Sequence, residues 1–350
     1  MAASVFIVAN GARTPLGRRA APSAAALRAG ISGVGEYPLL IDRPWTLRQA
    51  ALDSELSTAL IGSDRLLVLA RTALCEACAP LKVSQSSRLR LPVYLGLPEF
   101  RPGFTKQDAE AVCSGLAQLD ELPIEISELT VFTEGHAAGL LALATAVEQI
   151  RQGAFESCLV GCVDSYFHPD TMNWLDKNRQ LAGGDARSAF VPGEGAGFCL
   201  LASERVQKRF GIAALMRVVA VTIGKETNLI KTEDICFGEG LTKTVQAATQ
   251  GLTAGEKINN VICDINGERY RADEWGYVCL RLSQYFDDPT NYLSPADCWG
   301  DMGAASAVLF AMLACQAAER GYAKGPRTML WASSEGGLRG AAVLEILNKN

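Results

Sequence analysis

The chain has 350 residues, 49% hydrophobic and 20% charged, with a formal net charge of −5 and a pI near 5.3. That length supports one large domain or two fused halves around a sizeable core, and the acidic balance offers no electrostatic basis for binding nucleic acid or an anionic membrane surface. Residues 1–10 carry no basic group ahead of their apolar run, so no signal peptide is expected. No apolar stretch reaches the ~18 residues of a membrane span, and the expected location is cytoplasmic. The 11 cysteines are scattered and odd in number, which suits reduced thiols in a cytosol.

Taken in order, residues 5–9 form a predicted strand ending at Asn10-Gly11, and 12–17 a turn. Residues 23–30 read as a short helix with a serine cap and a glycine stop. An amphipathic helix follows at 64–79, a strand at 91–97 and a helix at 106–119. A tight loop at 133–139 opens an almost wholly apolar helix that closes on Gly153. Residues 158–164 are a strand, and 188–197 a loop leading into a strand that ends at Ala202. The rhythm then repeats: strand 216–223, helix 240–251, strand 260–264, loop 266–270, helix 274–285. A glycine loop at 299–306 opens a second apolar helix to Arg320. A strand at 329–334, a turn at 335–340 and a strand at 341–347 complete the chain.

Strands alternating with helices of this size indicate an α/β fold with buried sheets. The loops at 133–139 and 299–306 open all-apolar helices at corresponding places, and no linker separates the halves. We read an internal pseudo-duplication, residues 1–205 and 206–350, integrated into one domain.

A helix apolar on all sides is buried. Its N-terminus presents unpaired N–H groups and the positive end of the helix dipole. His136, one of two histidines, sits at that mouth, where the dipole and burial predict a lowered pKa. Other candidates read as structural. Cys75-Glu-Ala-Cys78 has metal or redox spacing but lies in a helix with no second ligand pair. His168 reads as a turn residue. Gly193-Glu-Gly-Ala-Gly197 leads into a strand, which removes the helix-dipole logic of a phosphate loop. The segment 264–274, rich in acids and holding Arg269 and Arg271, reads as a solvated loop. No metal and no cofactor are expected.

The order of these features resembles the β-ketoacyl synthases, condensing enzymes of the thiolase superfamily, over nearly the whole chain. The segments at 5–17 and 27–34 look like the synthase opening. Residues 133–153 with 157–161 are similar to the segment around the synthase nucleophile, and 190–201 to the family's G-E-G-A-G loop and following strand. Phe237-Gly-Glu-Gly-Leu241 and the helix after it also fit. The resemblance implies the five-layer αβαβα thiolase-like fold, and a homodimer or a heterodimer paired across a dyad through the strand ending near Cys162.

That family condenses thioesters with a cysteine at a helix N-terminus, whose thiolate the dipole favours, and two histidines that stabilise an enolate. Laid onto this chain, the cysteine position falls on His136, the first histidine on Asn266 and the second on Asp301. The family's C-terminal glycine loop becomes Ser334-Glu-Gly-Gly-Leu-Arg339. Condensation in the family's manner is therefore not expected.

Three readings of His136 remain: a structural plug, a general base steadied by Asp301 or Glu335, and a recognition residue for a partner or a pantetheine arm. Glu134, Glu335, Arg339 and Phe237 are candidate accessory residues. The expected function is a catalytically degenerate accessory subunit, either a chain-length-factor-like partner of an active synthase that meets an acyl carrier protein, or a scaffold. The alternatives are an acyltransferase, thioester hydrolase or decarboxylase built on His136 with Asp301 or Glu335, and an adaptor in a bacterial secretion-system effector cluster.

Overall fold

The computed structural model describes residues 3–41, 47–81, 88–183, 186–229, 232 and 234–347. The first half holds β1 (Val5–Arg13), α1 (Ala20–Arg28), the antiparallel pair β2 (Val34–Ile41) and β3 (Leu47–Ala51), α2 (Gly62–Cys78), β4 (Leu89–Gly96), α3 (Lys106–Ala117) and β5 (Ile124–Phe132). It continues with α4 (Ala138–Gln152), β6 (Ser157–Ser165), α5 (Pro169–Lys177) and β7 (Glu194–Ser203). After α6 (Glu204–Phe210) come β8 (Met216–Lys225), α7 (Glu239–Thr249), β9 (Asn260–Cys263), α8 (Arg269–Leu282), β10 (Tyr292–Leu293), α9 (Ala296–Trp299), α10 (Ser306–Glu319), β11 (Arg327–Ser333) and β12 (Leu338–Glu345).

The strands run β10-β9-β11-β12-β8-β1-β7-β6-β4-β5 across one continuous ladder. Read outward from its middle, each side repeats the other. From β1 the contacts to β7 and on to β6 are antiparallel, and those to β4 and β5 are parallel. From β8 the contacts to β12 and β11 are antiparallel, and those to β9 and β10 parallel.

Side-chain alternation explains why the strands read as unbroken apolar runs. In β1, Val5 and Ile7 enter one core while Phe6 and Val8 enter another. A strand covered on both faces has no polar side to show. The central core holds α4 and α10 between the two sheet halves. The helices α2 and α3 pack on one outer face, and α7 and α8 on the other. The result is five layers, αβαβα.

Both central helices start alike. A single 3₁₀ turn, Gly135–Ala137 or Gly303–Ala305, precedes each, and each turn opens on a glycine with positive φ, 64° and 49°. Where the helices meet, Gly139 is pressed against Ala307, and a Cβ added there would lie 2.9 Å from Ala307 Cβ and 2.6 Å from Cys162 Sγ.

Four expectations need correction. β1 runs on through Asn10-Gly11 to Arg13, because β7 pairs with it as far as Ala196. Ser23 does not cap α1; it sits inside the helix, where its hydroxyl donates to Gly17 O at 3.1 Å. The helix expected from residue 274 starts at Arg269, and the segment 264–274 is not a solvated loop. Its Tyr270, Arg271 and Glu274 are buried, and with Trp275, Val278 and Leu282 they form the inward stripe of α8. Lastly, β6, the strand ending near Cys162, has β4 on one side and β7 on the other. It has no free edge for pairing across a dyad; at that end of the ladder the edge strand is β5.

The close approach at Gly139 is testable. Gly139→Ala should lower unfolding stability in urea by about 1–3 kcal/mol through overpacking. Gly276→Ala, in α8 with nothing within 4 Å of the added Cβ, should be neutral or slightly stabilising. Equal effects of the two would contradict the assigned packing.

Candidate functional site

The two 3₁₀ turns face each other across the central layer, and they bring the residues of the site together. Ser334, just after β11, pins the first turn: its Oγ donates to Glu134 O and accepts from Ala137 N at 2.9 Å. This fixes His136 with its ring inward and 8% exposed. Asp301 precedes the second turn. Its Oδ1 accepts from Gly303 N at 2.6 Å, so the carboxylate caps the opening of α10. Its own backbone is held by Val191 O and Gly193 N at 2.7 and 2.8 Å.

His136 Nε2 lies 2.9 Å from both carboxylate oxygens of Asp301. Asn266 Nδ2 donates to the same carboxylate, and Tyr166 Oη donates to it at 3.1 Å. The three positions His136, Asn266 and Asp301 therefore converge, and the carboxylate on the histidine is Asp301. Glu335 accepts instead from Gln180 Nε2 at 2.6 Å. Arg339 is buried against Glu274 with Nε at 2.9 Å, Glu134 is exposed and contributes its carbonyl, and Phe237 is 47% exposed with its ring against Tyr277.

Sequence reasoning missed the residue that completes the cluster. Arg271, fully buried in the first turn of α8, donates to Asp264, to Ser333 O at 2.6 Å and to Glu268 at 3.2 Å. Its Nη2 also reaches His136, 3.2 Å from Nε2 and 3.5 Å from Nδ1. The signal was present: Tyr270, Arg271, Glu274, Trp275 and Val278 follow helical spacing, and the acid content obscured it. Tyr166 and Asp164 were missed as well. Asp164 accepts from Ala304 N at 2.8 Å and pairs with Arg101 at 2.6 Å, steadying the second turn from below.

The electrostatics correct a further expectation. Burial, and Arg271 beside it, act against charge on the His136 ring, but the hydrogen-bonded Asp301 carboxylate and Asp264 outweigh them. The His136 pKa lies above its ordinary 6.5, not below it. Burial likewise opposes charge on Asp301, yet His136, Arg271 and Asn266 hold its carboxyl well below its ordinary 3.8. The cavity bordering Asp301, Asn266 and Asp264 has a volume of about 10 Å³, room for about one water. His136 Nε2 is held by Asp301, and the Arg271 guanidinium lies against the same ring, nearer Nε2 than Nδ1. Two thiols flank the site in sequence, Cys263 and Cys162, and burial pushes both far above their ordinary range.

The remaining candidates have structural partners. Burial raises the Cys78 thiol to about 12, and Cys75 and Cys78 are both free within α2. His168 caps α5, its Nδ1 accepting from Asp170 N at 3.2 Å. Glu194 lies in β7, completely buried, and pairs with Arg65 at 2.6 Å. Among the described residues, one group has metal-ligand spacing, Glu226, Cys236 and Glu274. Its carboxylates are already engaged by Gly240 N and by Arg339.

A folded-state histidine pKa above the unfolded value contributes stability below 6.5 that is lost as pH rises through the raised value. A depressed carboxylate contributes above 3.8 and loses that stability as pH falls through the depressed value. The pair should thus stabilise most between those two ordinary values. The difference in unfolding free energy between wild type and His136→Asn should shrink as the pH is raised from about 6 to about 9; a constant difference would contradict the charged pair. Asp301→Asn, which strands buried cations, should cost about 3–5 kcal/mol in the same measurement.

Residues 129–206, which contain His136, match the family model "Beta-ketoacyl synthase, N-terminal domain". A search of curated protein sequences returns no match. Solved structures match along almost the whole chain. One is a type II PKS acyl-carrier protein in complex with its ketosynthase bound to the hexaketide, at TM-score 0.81 and 16% identity, covering 99% of this chain and 100% of that one. Another is the ishigamide ketosynthase/chain length factor, at TM-score 0.78 and 15% identity, with 99% and 100% covered. A third is the ketosynthase from module 6 of the bacillaene synthase of Bacillus subtilis 168, at TM-score 0.77 and 13% identity, with 99% and 72% covered. The fold is thiolase-like and of the ketosynthase kind.

Proposed function

We propose that this chain is a non-condensing ketosynthase-like subunit, pairing with a cysteine-bearing synthase in the manner of a chain length factor and meeting an acyl carrier protein. The observation that carries this reading is the closed network of His136, Asp301, Asn266 and Arg271, with a cavity of about 10 Å³ beside it. Where condensation needs a thiolate and an open space for two thioesters, these residues bond to one another. Two solved structures named for an acyl-carrier protein with its ketosynthase and for a ketosynthase/chain length factor share the fold, which supports the choice of partners. The sheet edge β5 leads straight into the turn that bears His136, and we propose that edge as the pairing strand. We also propose residues 1–205 and 206–350 as the duplicated halves, on the matching order of their strands.

A hydrolase or decarboxylase reading draws on one observation, the carboxylate that steadies His136 at 2.9 Å. It is disfavoured because Asp301 holds Nε2 and, with Asp264, favours the protonated ring, and the Arg271 guanidinium crowds the ring at 3.2 Å from Nε2 and 3.5 Å from Nδ1.

The test is direct. Incubation with malonyl- and acyl-carrier protein should yield no carbon dioxide, no condensation and no thioester release above background, with His136→Ala equal to wild type. Turnover that His136→Ala abolishes would overturn the reading. Co-expression with a cysteine-bearing ketosynthase should give a stable heterodimer; a self-dimer alone would remove the partner role.

A further inference from the structure

A cavity with no part in that network opens between α1, the C-terminal end of α10 and the edge strand β10. Its volume is about 330 Å³, at the lower end of the roughly 300–1,000 Å³ typical of small-molecule pockets. It shares no lining residue with the cavity at Asp301. Leu27, Ile262 and Leu313 form an apolar floor and are nearly buried, while Tyr292 and Leu293 at the lip are 37% and 39% exposed. Apolar surface held open to water in this way is relieved by an apolar occupant.

The rim has the opposite sign to the chain as a whole. Arg28 and Lys324 line the cavity, and Arg320 lines an adjoining groove together with Arg28 and Tyr322. The Arg28 guanidinium is held 4.0 Å over the Tyr322 ring, and Lys324 Nζ donates to Asn291 Oδ1 at 2.7 Å. Among the described residues none of these three cations forms an ion pair. Asp288, the carboxylate that senses Lys324, is engaged by Thr290. Two cations at the rim of one apolar well, with a third, Arg320, in the groove beside it, in a chain of net charge −5, favour an anion. A peptide strand is a poor occupant. β10 is two residues long and Pro295 follows it closely, so the edge lacks the row of backbone groups that strand addition uses.

We propose that this cavity binds an anionic amphiphile, a carboxylate or phosphate monoester carried on a short alkyl chain. The tail lies on the Leu27, Ile262 and Leu313 floor, and the head group sits between Arg28 and Lys324. The site is independent of the subunit role proposed above.

Calorimetric titration of the full chain with octanoate, octyl phosphate, octanol and acetate tests this. At least one of the two anionic amphiphiles should bind, and octanol and acetate should bind at least about ten-fold more weakly. The relative affinity of octanoate and octyl phosphate assigns the head group. The double variant Arg28→Glu/Lys324→Glu, changed at two exposed positions, should lose about ten-fold or more in affinity while still unfolding in one cooperative thermal transition. Ala317→Phe, which narrows the cavity without touching its charges, should weaken binding as well. Absence of binding by both anionic amphiphiles, octanol binding as tightly as octanoate, or wild-type affinity in the double variant would overturn the proposal.

Discussion

A guanidinium that never meets water must be neutralised where it stands, or the fold pays several kcal/mol for it. Arg271 is such a group, and much of the molecule's centre is arranged around it. Asp264 at the end of β9, Glu268 ahead of α8 and the carbonyl of Ser333 at the end of β11 take its donors. Its remaining nitrogen reaches His136, which hands the charge on to Asp301 at the mouth of α10. The second half of the chain is in this way tied to the turn that opens the central helix of the first.

This arrangement has the shape of a helix-mouth site whose charged groups pair with one another. The first turn is still glycine-led, still pinned by a backbone–side-chain clasp through Ser334, and still opens a buried helix. Asp301 illustrates the pairing: it accepts from a histidine, an asparagine, a tyrosine and a backbone amide. A carboxylate so fully engaged, with its pKa depressed, is held ionised near neutrality.

An α/β fold with buried sheets was legible because strands covered on both faces, such as β1 and β6, leave continuous apolar runs, and the pseudo-duplication because two glycine-led apolar helices recur at matching places; the five-layer order came through the family resemblance. The convergence of His136, Asn266 and Asp301 was legible through family resemblance, although these positions lie 165 and 35 residues apart in sequence from Asp301. Arg271 was overlooked, since charged residues grouped in a short segment ordinarily face water. Its helical spacing with Tyr270, Glu274, Trp275 and Val278 was the available signal, and the contacts with Asp264 and Ser333 show where the segment turns inward. The sign of the His136 shift was missed for the same reason. Helix dipole and burial both argue for a lowered pKa, and the opposing carboxylate comes from the other half of the fold.

With only two histidines in the chain, the imidazole of His136 can be followed individually by nitrogen-15 NMR. The account predicts a ring whose pKa lies above 6.5, the ordinary value, and whose resonances do not move when malonyl- or acyl-carrier protein is added. A ring that titrates at or below that value, and shifts when a thioester is added, would contradict it.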